Sequence, residues 1–146
     1  MSLTIQRLQP QDREAWGVLA AGYKAFYNTP TIEAEYDEAW RRLIGGDGVH
    51  AFGAHLDGRL VGIVHYLFHT STWARTQCYL QDLFTAPDCR GRGVARALIA
   101  AVADVAREAR ASRLYWLTQE TNRTARALYD RVAQYKGFIR YDHPVD

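Results

Sequence analysis

The chain has 146 residues, 48% hydrophobic and 23% charged, with 18 basic and 16 acidic side chains giving a formal net charge of +2. That length suits one domain with a core of its own, 1–146, and so nearly even a charge balance with no long basic run argues against nucleic acid as a partner. Two cysteines, Cys78 and Cys89, exclude a disulfide framework, and no CxxC or Cys/His spacing points to a metal. From the N-terminus, Leu3 to Leu8 alternates apolar and polar like a half-buried strand. Pro10-Gln11-Asp12 opens a helix to about Tyr27, with Trp16, Leu19, Ala20, Tyr23 and Phe26 at helical spacing. Thr31 to Ile44 reads as a second helix, with Thr31 as N-cap, Glu33 and Glu35 near its positive end, and Gly45-Gly46-Asp47-Gly48 stopping it. Val49 to Leu56 and Leu60 to Phe68 flank Asp57-Gly58, a strong hairpin signal.

After the polar stretch Thr70 to Thr76, Cys78 to Thr85 reads as a buried strand. A helix from about Gly91 to Arg110 carries Val94, Leu98, Ala101, Val102 and Val105 on one face. Arg113 to Thr118 is a strand, and Thr121 to about Gln134 a helix with Ala125, Leu128, Tyr129 and Val132 as its apolar stripe. Phe138 to Tyr141 is a last strand. This order predicts an α/β domain, a mixed central sheet with helices on both faces. The N-terminal residues lack an apolar signal core, and no apolar run is long enough for a bilayer, so a cytoplasmic protein without a membrane partner is expected.

The segment from Tyr79 to Ile99 points to chemistry. A strand, a Pro/Gly turn and a helix with an almost bare first turn present unpaired N–H groups and a positive dipole end at one point. The natural guest there is a phosphate, held at residues 90–95. Gly91 and Gly93 permit close backbone approach, Ala95 keeps the helix start tight, and Arg90 and Arg92 add charge. No Gly-Lys-Ser/Thr follows, so this is no Walker loop. The third glycine and ribose-binding acid of a dinucleotide fingerprint are also missing.

Arg90-Gly91-Arg92-Gly93-Val94-Ala95 resembles the acetyl-CoA motif of the GNAT N-acetyltransferases, Arg/Gln-x-x-Gly-x-Gly/Ala. Tyr79–Thr85 resembles the family's central strand, Leu114–Tyr129 its second motif, and Lys136-Gly137-Phe138-Ile139 its final strand. Tyr-Leu-x-Asp-Leu-Phe, Trp-Leu-Thr and Ala-x-x-Leu-Tyr together look most like the branch holding diamine, thialysine and Hpa2-like enzymes.

The resemblance implies an acetyl-CoA-dependent acyltransferase that acetylates a primary amine of a small molecule, such as a polyamine or an amino-acid-like amine. The alternatives are a protein lysine or N-terminal acetyltransferase and a non-catalytic CoA-binding regulatory module. By position, the pyrophosphate falls on the amides of Gly91, Arg92, Gly93, Val94 and Ala95, after Arg90, and the pantetheine arm pairs with Leu83, Phe84 and Thr85 where the sheet splays. Asn122 matches an asparagine that contacts the cofactor arm, and as a residue type it also fits a helix N-cap. Tyr129 matches the usual general acid, though its spacing alone suits the core.

Relatives carry Glu-Asp where this chain reads Gln81-Asp82, and an amide cannot serve as a base. Successive strand residues face opposite ways, so Asp82 replaces that carboxylate only if a bulge re-aims it. Asp82 is therefore a candidate for binding the amine or for water-relayed proton removal, or a buried acid paired to a neighbour. Attack by an amine already neutral in the pocket is the other route. Tyr27, Glu33, Tyr36, Trp73 and Gln81 are the candidate acceptor-binding residues, and no metal is expected at His65 and His69, which sit in a strand. The resemblance also implies a homodimer formed through an edge strand carrying Ile139 and Tyr141.

Overall fold

In the computed structural model, which describes residues 2–146, the chain divides into two compact units, the first ending at Trp116 and the second running from Leu117. The first is built on a five-stranded sheet whose spatial order follows the chain: β1 (Leu3–Arg7), β2 (His50–Leu56), β3 (Arg59–His69), β4 (Gln77–Thr85) and β5 (Leu114–Tyr115). The first three junctions are antiparallel and the last is parallel, so the sheet is mixed, as expected. The Asp-Gly signal forms its hairpin: Asp57 at φ 51° and Gly58 at φ 86° make the left-handed pair that joins β2 to β3.

Leu60 to Val64 in β3 are all buried, the mark of a strand covered on both faces. A Cβ on Gly62 would lie 2.6 Å from Val94 Cγ1 and 3.1 Å from Leu98 Cδ1, which puts α3 (Val94–Glu108) against that face. His65, three residues on and so facing the other way, meets Trp16 of α1 (Arg13–Phe26). Helices thus cover opposite faces. The second helix, α2 (Glu33–Gly45), adds Trp40 and Tyr36 against the Trp16 ring.

Several boundaries differ from expectation, each for a local reason. Pro10–Asp12 is a 3-10 turn that precedes α1. The cap of α2 is Ile32, because the Thr31 hydroxyl donates to the Thr29 carbonyl instead of capping. The buried face of α3 is Val94, Leu98, Ile99, Val102 and Ala106, leaving Ala101 and Val105 half-buried. The two-residue β5 replaces the six-residue strand read from the sequence.

In the second unit, α4 (Arg123–Val132) is capped by the Asn122 side chain, which accepts from the Ala125 amide. The strand expected at Phe138 to Tyr141 does not form, and no helix or strand follows Val132. Gly137 at φ 81° turns the chain, Arg140 pairs with Asp142 two residues away, and Phe138 and Tyr141 are almost fully exposed. A strand needs a ladder partner, and no neighbour supplies one to this segment.

Candidate active site

The cradle is built as a turn followed by a helix. Thr85 ends β4, Pro87–Cys89 form a 3-10 turn, and α3 begins at Val94 with Gly93 as its cap. Gly91 (φ 79°) and Gly93 (φ 80°) lie in the left-handed region that favours glycine, and a Cβ on either would meet nothing within 4 Å. The first α3 bond runs from the Ala97 amide to the Gly93 carbonyl. The amides of Val94, Ala95 and Arg96 therefore have no acceptor one turn back and point along the positive end of the helix dipole. Val94 is buried against β3, so the sheet fixes where this turn sits.

Two side chains near the turn are already engaged. Arg90 lies over the Phe84 ring, 5.5 Å from its centroid, with Nε donating to the Thr85 carbonyl. Asp88, an acid close to an anion site, is paired with Arg59 at 2.9 Å, and that hydrogen bond holds its carboxyl below the usual carboxylate range. Burial pushes the Cys78 thiol up to about 11, which makes it inert as a nucleophile at neutral pH.

β4 supplies an open edge. Its parallel ladder with β5 holds only Cys78↔Leu114 and Tyr79↔Tyr115. From Leu80 to Thr85 the side of β4 away from β3 has no strand partner among the described residues. Leu83, Phe84 and Thr85 thus offer backbone groups to an amide-bearing chain arriving as an added strand. The cradle and this edge fit a phosphate group joined to an extended, amide-rich arm.

The bulge that Asp82 requires is present. β4 pairs Asp82 with His65 and Leu80 with Tyr66, leaving Gln81 as an extra, exposed residue. Partners across a ladder share a face, and His65 and Tyr66 face opposite ways. Asp82 therefore shares the α1 face with His65, while Leu80 turns into the core at 3% exposure. Asp82 Oδ2 lies 2.9 Å from His65 Nδ1. Burial, the largest single influence on this acid, opposes its charge. The interactions with His65 and Tyr23, and the charge of Lys24, outweigh it and hold the carboxyl below its ordinary value. The Tyr23 and Tyr27 hydroxyls are pushed up by burial first and by the Asp82 charge second, so both stay protonated.

Of the other expected acceptor-binding residues, Tyr27 is half-buried near Asp82, and the Tyr36 ring meets Trp16 nearly at right angles, centroids 6.4 Å apart. Glu33 is an exposed partner of Arg13 at 3.1 Å. Trp73 is 95% exposed in the β3–β4 loop, beside an open depression bordered by Gln77 and Arg113. Gln77 begins β4 and Thr85 ends it, so that depression is at the far end of the strand from the cradle. Sequence reasoning did not single out Tyr23 or Tyr79 for this site, or assign His65 its role beside Asp82. The sequence signal for Tyr23 was its place one helical turn before Tyr27.

Asn122 and Tyr129 belong to the second unit. Asn122 fills the N-cap of α4 and also donates to the Thr118 hydroxyl at 3.3 Å. Tyr129 is half-buried on the apolar stripe of α4. No group of three or more potential metal ligands occurs among the described residues, and no described helix is long and apolar enough to cross a membrane.

A family model described as "Acetyltransferase (GNAT) family" matches residues 14–134. The chain is 31% identical over 136 residues to the D-amino-acid N-acetyltransferase HPA3 of Saccharomyces cerevisiae, covering 90% of this chain and 84% of that protein. It is 34% identical over 95 residues to a thialysine N-epsilon-acetyltransferase of Caenorhabditis elegans, covering 65% of this chain and 59% of that one. Among solved structures, a ribosomal-protein-alanine N-acetyltransferase from Brucella melitensis superposes with a TM-score of 0.84 at 26% identity, over 99% of this chain and 100% of that one. AAC(6')-Iy, solved with a CoA bisubstrate analogue, shares the fold with a TM-score of 0.88 at 16% identity, over 100% of each chain. The chain belongs to the GNAT acetyltransferase family and is an enzyme that transfers acetyl groups.

Proposed function

We propose that this GNAT acetyltransferase moves the acetyl group of acetyl-CoA to the primary amine of a small, positively charged molecule, an amino-acid-like compound or a polyamine. The observation that carries this is the pairing of the Gly91–Ala95 cradle with the unpartnered Leu83–Thr85 edge in a chain of this family. The named activities of the yeast and nematode relatives, on D-amino acids and thialysine, support the acceptor class. The family match runs across the boundary at Trp116, which supports treating 1–146 as one catalytic domain.

In the proposed reaction the neutral acceptor nitrogen attacks the thioester carbon, the C–N bond forms and the C–S bond breaks. Tyr129, at the family's general-acid position, gives its hydroxyl proton to the departing thiolate. A backbone N–H near Leu83 or Phe84 steadies the thioester oxygen as it gains charge. A lysine-like amine has a pKa of about 10.4, so freeing it at pH 7 costs roughly 4.6 kcal/mol. A carboxyl held below its usual range lies more than about 6 units beneath such an amine, which makes direct transfer to it uphill by roughly 9 kcal/mol. The sign of the Asp82 shift thus favours charge recognition over proton abstraction, with the amine proton leaving through water.

Thiol release from acetyl-CoA across D- and L-amino acids, thialysine, polyamines and an alanine-terminated peptide tests this. Turnover with a small amine, reduced at least about 100-fold in kcat by Tyr129→Phe, is expected for a lost general acid. Turnover of the peptide alone would favour N-terminal acetylation, the reading supported by the Brucella structure. The exposed apolar side chains Tyr135, Phe138, Ile139 and Tyr141 support a homodimer, which light scattering would report.

A further inference from the structure

Side chains from α1, β3 and β4 form one hydrogen-bonded chain beneath the face that carries Asp82. The Trp16 indole N–H donates to His65 Nε2 at 3.0 Å. An indole offers a donor and no acceptor, so Nε2 must be the unprotonated nitrogen and the ring proton sits on Nδ1. That nitrogen lies 2.9 Å from Asp82 Oδ2, to which it donates. The indole cannot turn away, because Trp16 is 1% exposed and in contact with the Trp40 and Tyr36 rings. His65 thus presents its Nδ1–H donor to Asp82.

Asp82 keeps one side open, its side chain 24% exposed against 13% for His65. Tyr23 of α1 and Tyr27, just past the end of that helix, flank it, and Tyr79 lies near enough to Tyr23 to feel its charge state. The charge of Lys24 reaches the acid from α1. A half-buried carboxylate ringed by tyrosines suits an ammonium group, through charge pairing and the ring faces together.

We propose that Trp16, acting through the tautomer of His65, holds Asp82 in a fixed orientation as the docking point for a positively charged nitrogen of the acceptor. Trp16 and His65 are positioning residues in this scheme, and only Asp82 touches the substrate. The role of that docking rests on the acetyl-transfer reading, but the tautomer and the binding can be measured without turnover.

Nitrogen-15 spectra of labelled histidine at pH 8 should show the His65 proton on Nδ1. Trp16→Phe leaves that proton on Nδ1, held by Asp82, but removes the donor that fixes the ring from its Nε2 side, so its readout is a fall in amine affinity. Calorimetry with 1,4-diaminobutane and with lysine supplies the binding readout. His65→Phe removes the donor and should weaken the amine that binds by about tenfold or more, as expected for a lost hydrogen bond to a charged group. Asp82→Asn should do the same. His65→Asn sets an amide N–H where Nδ1 was and should stay within about threefold of wild type. CoA affinity should be unchanged in all three.

A proton on Nε2 in the wild type overturns the proposal. So does equal amine affinity in wild type and His65→Phe, or no binding of either amine. If His65→Phe fails to fold, the wild-type tautomer and the Asp82→Asn affinity still decide. Amine binding with the expected tautomer but no acetylation of any amine would sink the acetyl-transfer reading alone.

Discussion

Replacing Gly62 by alanine should disturb the cradle from the sheet face on which it rests. The added Cβ would sit 2.6 Å from Val94 Cγ1 and 3.1 Å from Leu98 Cδ1. Carbon atoms prefer separations of about 3.5–4.0 Å, so something must retreat by roughly 1 Å. Val94 is β-branched, fully buried and in the first turn of α3, which leaves its side chain little freedom to rotate aside. The helix start itself has to lift, carrying the Val94 and Ala95 amides with it. Overpacking of this kind costs about 1–3 kcal/mol, or roughly 3–10 °C in Tm for a chain of this size. With the CoA phosphate on these amides as proposed, a displacement of roughly 1 Å would stretch its hydrogen bonds beyond their useful range, so CoA should bind about tenfold more weakly or worse. Calorimetric unfolding and CoA titration measure the two effects. Val94→Ala in the same chain removes the colliding methyl groups and should restore both, giving a coupling energy of about 1 kcal/mol or more in a double-mutant cycle. Wild-type Tm and CoA affinity in Gly62→Ala, or no rescue by Val94→Ala, would refute the reasoning.

Asp82 should make stability depend on acid. Its folded pKa lies below the unfolded value of about 3.9, so its contribution is complete above that value and is lost as pH falls through the folded pKa. Relative to Asp82→Asn, the wild type should lose stability as pH falls from about 6 to about 2.5, measured by urea unfolding. A constant difference across that range would show that the acid gains nothing from folding. Asn122→Ala removes the cap of α4 and should cost about 1 kcal/mol. Faster amide hydrogen exchange in Arg123 to Arg126 would show it, and unchanged exchange there would count against the cap.

Much of this architecture was legible because local chemistry and the fold agree. Asp57-Gly58 can hardly do anything but turn, and Leu60 to Val64 can hardly be anything but a strand buried on both faces. The glycines of the cradle were equally plain, since their left-handed backbone is a local property. What escaped the sequence depends on which partner each group finds once the chain is folded. Thr31 looks like a cap until its hydroxyl finds Thr29, and Phe138 to Tyr141 has strand composition without a neighbour to pair with. The Gln81 bulge was foreseen only as a condition, because register belongs to two strands at once. The role of His65 was hidden more deeply. It depends on an indole 49 residues earlier, and no spacing rule links the two.

The agreement between spatial and chain order in the sheet bears on how the molecule is made. β2 and β3 are joined by a two-residue turn, so that hairpin can close as soon as it leaves the ribosome. β4 adds next after a short loop, and α3 then carries the chain across to β5. The longest closure in the sheet falls at the beginning of the chain. β1 is made first, yet it pairs with β2 only after the 42 residues from Leu8 to Val49 have been folded back. Closing that span rather than a two-residue turn costs roughly 2.6 kcal/mol more, at about 0.6 kcal/mol per doubling. Nascent chains should therefore hold β2–β4 together before β1 docks, leaving the outer edge of β2 exposed to chaperones for longest.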